Sequence, residues 1–176
     1  MNKNIEINGK FIDSQSLSAQ IYNVYRSLIK KSDNVKNHIN IIVQITDDIM
    51  SNIDYSISEK DRLVCAIHDY CENIYTCMEY IMQILRTSYK EIYRQGELKD
   101  GFNSVLKDIQ NNSNRPIYIR HPRLTQYILK AKRWYYVIHD IRTEETHNSM
   151  GEIQMNDDET KLFYYNTLRR HSCEEN

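Results

Sequence analysis

Glycine and proline are scarce in this chain, at four and two of its 176 residues. So few breakers leave little material for a fold of many short strands and turns, and favour long uninterrupted helices. The 24 isoleucines pull the other way, because β-branched side chains lean mildly towards strands. Spacing must therefore decide. An excess of one charge is missing too. A net charge of −1, with 27% of residues charged, gives no global field that announces a nucleic-acid or membrane partner. Any such partner has to be sought in local clustering. No stretch approaches the roughly 18 apolar residues of a membrane span, and the N-terminal MNKNIEINGKFID has no apolar run of signal-peptide length. A soluble, cytoplasmic protein with no membrane partner is expected. Cysteine is also sparse. Cys65, Cys71 and Cys77 stand six apart, which turns a helix by about 240°, and no C-x-x-C occurs. Reduced, packing thiols are expected, with Cys173 in a polar tail, and neither a metal nor a cofactor is called for.

What is present is helical periodicity. At 176 residues the chain is most simply one domain, 1–176, with a real core. Residues 1–14 read as an extended arm or hairpin, since NIEINGKFI alternates around Asn8-Gly9. Residues 15–147 read as a bundle of about four to five helices. Leu17, Ile21, Val24 and Leu28 mark a first helix, which Ser32-Asp33 ends while capping a second that carries Val35, Ile39, Ile42, Ile45 and Ile49. Ser56-Ile-Ser-Glu59 is a capping box. The helix it opens carries Leu63, Ile67, Tyr70, Ile74, Cys77, Ile81, Ile84 and Ile92, and meets neither Gly nor Pro before Gln95. Gly96 and Asp100-Gly101 then break the chain, a short helix follows with Phe102, Val105 and Ile109, and NNSNRP is a polar loop. Pro122 suits an early position of the last long helix, over 122–146. Beyond it, EIQM and KLFYY flank NDDET as a second hairpin within 148–168, and 169–176 is a tail. The expected class is all-α, a helical bundle with short β-hairpin decorations at the N- and C-termini.

Charge is uneven along the chain. From Arg115 to Arg142 there are seven basic residues (Arg115, Arg120, Arg123, Lys130, Lys132, Arg133 and Arg142) against one acid, Asp140. A phosphate backbone responds to such a local field through counterion release. Tyr118, Tyr127, Trp134, Tyr135 and Tyr136 interleave with these cations and suit base stacking. The plainer account makes the cations a solvated face and the aromatics a core face of one helix. Lys130, Arg133 and Arg123 are the candidate contacts to an RNA backbone.

At about 100° per residue, Leu124, Ile128, Ala131, Tyr135 and Ile138 lie within roughly 40° of one line, and Arg142 falls on that line. A guanidinium on an apolar stripe needs a carboxylate, a phosphate or open space, because desolvating it unpaired costs several kcal/mol. His147 follows five residues later, about 140° away on a regular helix. The two converge only if the helix ends between them, just after position 145, or if a second subunit supplies its own copy. Thr146, Asn148, Ser149 and Gly151 are helix-ending residue types.

Arg142-Thr-Glu-Glu-Thr-His147 resembles the R-x4-6-H motif of the HEPN superfamily, helical proteins that include many prokaryotic ribonucleases. The bare pattern occurs four times here: Arg62 to His68, Arg115 to His121, Arg133 to His139, and Arg142 to His147. The first lies mid-helix, the second between prolines, and the third faces about 240° apart within a helix. Only the fourth is followed by a polar residue at a helix end, although Thr143 stands where the family commonly has Asn. The resemblance implies a HEPN-like bundle, paired as a homodimer whose two motifs form one cleft. It implies metal-independent endoribonuclease activity on RNA, with 2′-hydroxyl attack giving a 2′,3′-cyclic phosphate, in a toxin or anti-phage abortive-infection role. Arg142 would bind the scissile phosphate and His147 would be general base or acid. Thr143 and Glu144 would be secondary, with Asp69 a helper from another helix. An antitoxin of nucleotidyltransferase type is a partner the family suggests. The residue types suit the chemistry, since histidine titrates near neutrality and arginine holds charge on a phosphorane.

Other patterns compete. Glu144-Glu145-Thr146-His147 contains the E-x-x-H of di-iron bundles, but the second copy that such a site needs is absent from the sequence. His139-Asp140 reads either as an exposed pair on the helix side or as a phosphate- or base-orienting pair. Asp69, beside His68, reads either as a solvent-facing acid or as the partner of Arg142, while His38 and His171 read as surface residues. A non-catalytic RNA-binding or protein-docking dimer of the same fold is the alternative to the nuclease.

Overall fold

Ser16 accepts a hydrogen bond from the Ala19 amide at 3.2 Å, so the first helix opens on a capped turn. The computed structural model describes residues 4–7, 10–13, 16–51, 56–89, 98–147, 151–156 and 161–165, with side chains from residue 16 onward except 144–147. Helix α1 spans Leu17–Ser51 without interruption. The expected break at Ser32-Asp33 is therefore corrected. The spacing of Leu28, Val35, Ile39 and Ile42 carries the apolar rhythm across that point. Asp33 binds the Lys36 ammonium one turn on, at 3.3 Å, an ion pair that an unbroken helix brings together.

Helix α2, Ile57–Ser88, starts where the capping-box pattern stands, with the glutamate half of the box formed and a backbone turn in place of the serine half. The Ser56 amide donates to Glu59 Oε2 at 3.0 Å, and the Glu59 amide to the Ser56 carbonyl at 3.1 Å. Residues 90–97, with Ile92, Gln95 and Gly96, lie outside the described residues. Helix α3, Phe102–Asn111, begins after Gly101, whose φ of 76° lies in the left-handed region. Glu79 supplies the missing cap, its Oε1 accepting the Phe102 amide at 3.2 Å.

A short helix not expected from the sequence follows, α4 at Pro116–Arg120, with proline in its first turn where no amide is needed. Asp108 holds it to α3, accepting hydrogen bonds from the Arg115 guanidinium, the Tyr118 hydroxyl and, at 3.0 Å, the Asn112 amide. Burial alone would push the Asp108 carboxyl up. The donors on Tyr118 and Asn112 and the charge of Arg115 outweigh that and hold it below its ordinary value. Burial also pushes the Tyr118 hydroxyl up, and the Asp108 carboxylate adds to this, so Tyr118 keeps the proton it donates.

Helix α5 spans Pro122–His147. Strands β1 (Asn4–Ile7) and β2 (Lys10–Asp13) pair antiparallel with Ile7 opposite Lys10. That register fits a two-residue connection at Asn8-Gly9, itself outside the described residues. Strands β3 (Glu152–Met155) and β4 (Leu162–Tyr165) form the second hairpin, with Met155 opposite Leu162. Residues 157–160 and 166–176, including His171 and Cys173, are not among those described. The chain is thus all-α with short hairpins, the class that its shortage of breakers implies. No helix among the described residues is long and apolar enough to cross a membrane.

Two compact units emerge: residues 1–31 with 76–132, and residues 32–75 with 133–176. In the first, Met78 and Met82 of α2, Val105, Leu106 and Ile109 of α3, and Ile117 of α4 are buried. In the second, Ile45 and Ile49 of α1, and Leu63, Val64 and Ala66 of α2, form a core with Ile153 of β3. Met155, Leu162 and Tyr164 pack against it, so one face of the hairpin closes this core. Cys71 is buried in the same unit, and burial pushes its thiol up to about 11. Burial raises the Cys77 thiol too, against the opposing charge of Lys31. None of Cys65, Cys71 and Cys77 is in a disulfide.

Gly151 shows how tightly the hairpin is seated. A Cβ there would lie 2.3 Å from Tyr164, and the Tyr164 hydroxyl is 2.7 Å from Nε2 of His68, which is 2% exposed. The ring is held in place, so the clash has no easy relief. Gly151→Ala is expected to cost about 1–3 kcal/mol of stability, read as a lower midpoint in urea. An unchanged midpoint would mean that the hairpin shifts without cost.

Candidate functional site

The buried stripe of α5 forms as its spacing implies. Ile128, Tyr135 and Ile138 are buried at 4, 0 and 8% exposure, and Leu124 and Ala131 are partly buried. Arg142 continues the line into partly open surroundings, with 41% of its side chain exposed. Helix α2 provides what the guanidinium needs. Arg142 Nε donates to Glu72 Oε2, and the guanidinium carbon lies 4.4 Å from the centroid of the Tyr75 ring. Glu72 and Tyr75 are three residues apart on α2 and so share a face, one giving charge and the other a π surface. Glu72 is itself 42% exposed, so this is a solvated, screened ion pair that orients the arginine more than it stabilises the fold.

Asp69 does not take that position. It faces His38 across α1 and α2 at 3.5 Å, with 68% of its side chain exposed. The neighbouring His68 is buried beneath the hairpin. Thr143 turns its hydroxyl into its own helix and donates to the His139 carbonyl at 2.7 Å.

The expected helix end between Arg142 and His147 is corrected. Helix α5 continues through His147, because Thr146 is tolerated in a last turn and the stronger breakers, Asn148 and Gly151, come after it. On one chain the two positions therefore lie about 140° apart. The side chains of Glu144 and His147 are outside those described. His139 is only about 60° from Arg142 around α5. Its ring lies 6.2 Å from that of Tyr75 and 5.8 Å from that of Tyr135, and Nδ1 is 3.7 Å from Asp140 Oδ1.

The basic stretch divides by burial. Arg123, Lys130 and Arg133 are all exposed, while Tyr118 and Tyr135 are buried and Tyr127 and Trp134 stay out at 70 and 44% exposure. Among the described residues no cluster of His, Cys, Asp or Glu is arranged to hold a metal ion.

In comparisons with protein families, with curated proteins and with solved structures, nothing matches this chain. The site therefore rests on its own geometry. Glu72 and Tyr75 are the members that reading the sequence missed. Their signal was an acid and an aromatic at i, i+3 in the sequence, but spacing within α2 does not say which part of α5 it meets.

Proposed function

We propose that this chain is a HEPN-like, metal-independent endoribonuclease that acts as a homodimer. The observation that carries this reading is Arg142: a guanidinium tied to Glu72, laid over Tyr75 and still 41% exposed. A cation fixed before its ligand arrives can stabilise developing charge without paying to reorganise. The positions of Arg142 and His147 lie about 140° apart around one helix, so the working pair is taken from Arg142 of one copy and His147 of another. His147 accepts the proton of a ribose 2′-hydroxyl, and the freed oxygen attacks the adjacent phosphorus. The bond to the 5′-oxygen breaks, and a proton is returned to that leaving oxygen. Arg142 neutralises the phosphorane, Arg123, Lys130 and Arg133 hold backbone phosphates, and Glu144 stands beside the pair in sequence. The role is that of a cytoplasmic toxin or anti-phage abortive-infection effector, restrained by a nucleotidyltransferase-type antitoxin.

Incubating purified protein with RNA in EDTA is expected to give fragments with the mass of 2′,3′-cyclic phosphate and 5′-hydroxyl ends. Intact RNA after incubation with a folded dimer would remove the reading. One observation favours the non-catalytic alternative, an RNA-binding or protein-docking dimer. Glu72 already balances the charge of Arg142, and an entering phosphate has to compete with it. RNA binding with no cleavage, unchanged in His147→Ala, selects that alternative.

A further inference from the structure

From 116 to 139 the sequence contains no Asp or Glu, but five Lys or Arg: Arg120, Arg123, Lys130, Lys132 and Arg133. Most of this stretch is α5, which turns about 100° per residue. Counted from Arg123, Lys130 falls at about −20°, Trp134 at about +20° and Tyr127 at about +40°. Cation, aromatic, cation and aromatic thus alternate along one edge of the helix, with about 5 Å of rise between neighbours. The burial pattern sets this arc apart from the core stripe. All four side chains are exposed, Tyr127 at 70% and Trp134 at 44%, whereas Ile128 and Tyr135 on the opposite side of the helix are buried.

Two large aromatics left in water between exposed cations call for a ligand with flat apolar faces. The cations between them, in a stretch without acids, call for that ligand to carry regularly spaced negative charge. Unpaired nucleobases on a phosphate backbone meet both demands. A duplex meets only the second, because the flat faces of its bases are stacked on one another and closed to aromatic side chains. We propose that this face of α5 binds single-stranded nucleic acid, with bases stacked on Tyr127 and Trp134 and phosphates on Arg123 and Lys130. The inference rests on the ribonuclease reading only for its relevance to substrate choice. It narrows that substrate to unpaired RNA, and the binding itself does not depend on cleavage.

Trp134 is the one tryptophan of the chain, so its emission reports this face alone. The probe is a 12-nucleotide single strand of deoxythymidine, which has no 2′-hydroxyl and survives the proposed chemistry. Titrating it into the intact protein is expected to quench Trp134 to saturation. A DNA duplex of the same length should leave the emission largely unchanged. Tyr127→Ala should weaken the single strand about tenfold or more at an unchanged melting temperature, because the ring is mostly in solvent. Arg123→Ala should lower the slope of log affinity against log salt by about 0.7. Absent quenching, equal quenching by the duplex, or full affinity in Tyr127→Ala overturns the proposal. So does an emission change that follows protein concentration alone, which would make the face a contact between copies. Quenching without any RNA cleavage leaves this inference standing and removes the nuclease. Cleavage without quenching does the reverse.

Discussion

Arg142→Ala is expected to lower the rate of RNA cleavage by about 10²–10³-fold, the loss seen when one preorganised charge-stabilising donor is removed. His147→Ala should cost about 10²–10⁴-fold, as for a general acid or base. Arg142→Ala should fold, since Arg142 is partly exposed and its pair with Glu72 is a screened one. The informative experiment mixes the two dead variants. If the working pair is drawn from two copies, half of the dimers in an equal mixture are mixed, and each of these keeps one intact pair. Activity should recover to about a quarter of wild type. No recovery, with exchange of subunits demonstrated, would place the pair on a single chain and contradict the 140° separation on α5. His139→Gln is the control for the histidine nearer to Arg142 around that helix. If it alone abolishes cleavage, the proton belongs to His139 and the motif reading fails at its second residue.

Asp108→Ala is expected to destabilise the fold by about 3–5 kcal/mol, read from the urea midpoint. Asp108 is 7% exposed, and its carboxylate satisfies Arg115, Tyr118 and Asn112 together. Truncation leaves a buried hydroxyl and a partly buried guanidinium without that acceptor. The folded-state pKa of Asp108 is depressed, so its contribution is complete above the unfolded value of about 3.9 and is lost as pH falls through the lower, folded value. Stability measured against Asp108→Asn should therefore show a constant gap from neutrality to about pH 4, closing below it. A gap that stays open in stronger acid would assign the effect to shape instead of charge.

Much of this architecture was legible in the sequence, for reasons tied to particular residues. Ser56 and Glu59 announced the start of α2 because a capping box is a local chemical event, complete within four residues. The two hairpins were legible from alternation and from Asn8-Gly9. The second helix start, read at Ser32-Asp33, was not real. A cap signal acts only where the apolar rhythm also stops, and Leu28, Val35 and Ile39 continue it. Helix α4 went unseen because five residues show no period, and its clasp depends on Asp108, which reads in sequence as one more surface acid. In the candidate site, the arginine on an apolar stripe was visible, and so was its need for a carboxylate, a phosphate or open space. The choice of Glu72 over Asp69 was not, because one residue pair three positions apart on α2 cannot reveal how that helix is rotated against α5.

The enclosed thiol of Cys71 has a consequence of its own. A sulfur that ionises only near pH 11 is almost entirely protonated in neutral buffer, and the thiolate is the form that alkylating reagents attack. Its rate of modification therefore measures how frequently its surroundings open, in the manner of a protected amide in hydrogen exchange. The chain carries a built-in timer of its own local opening.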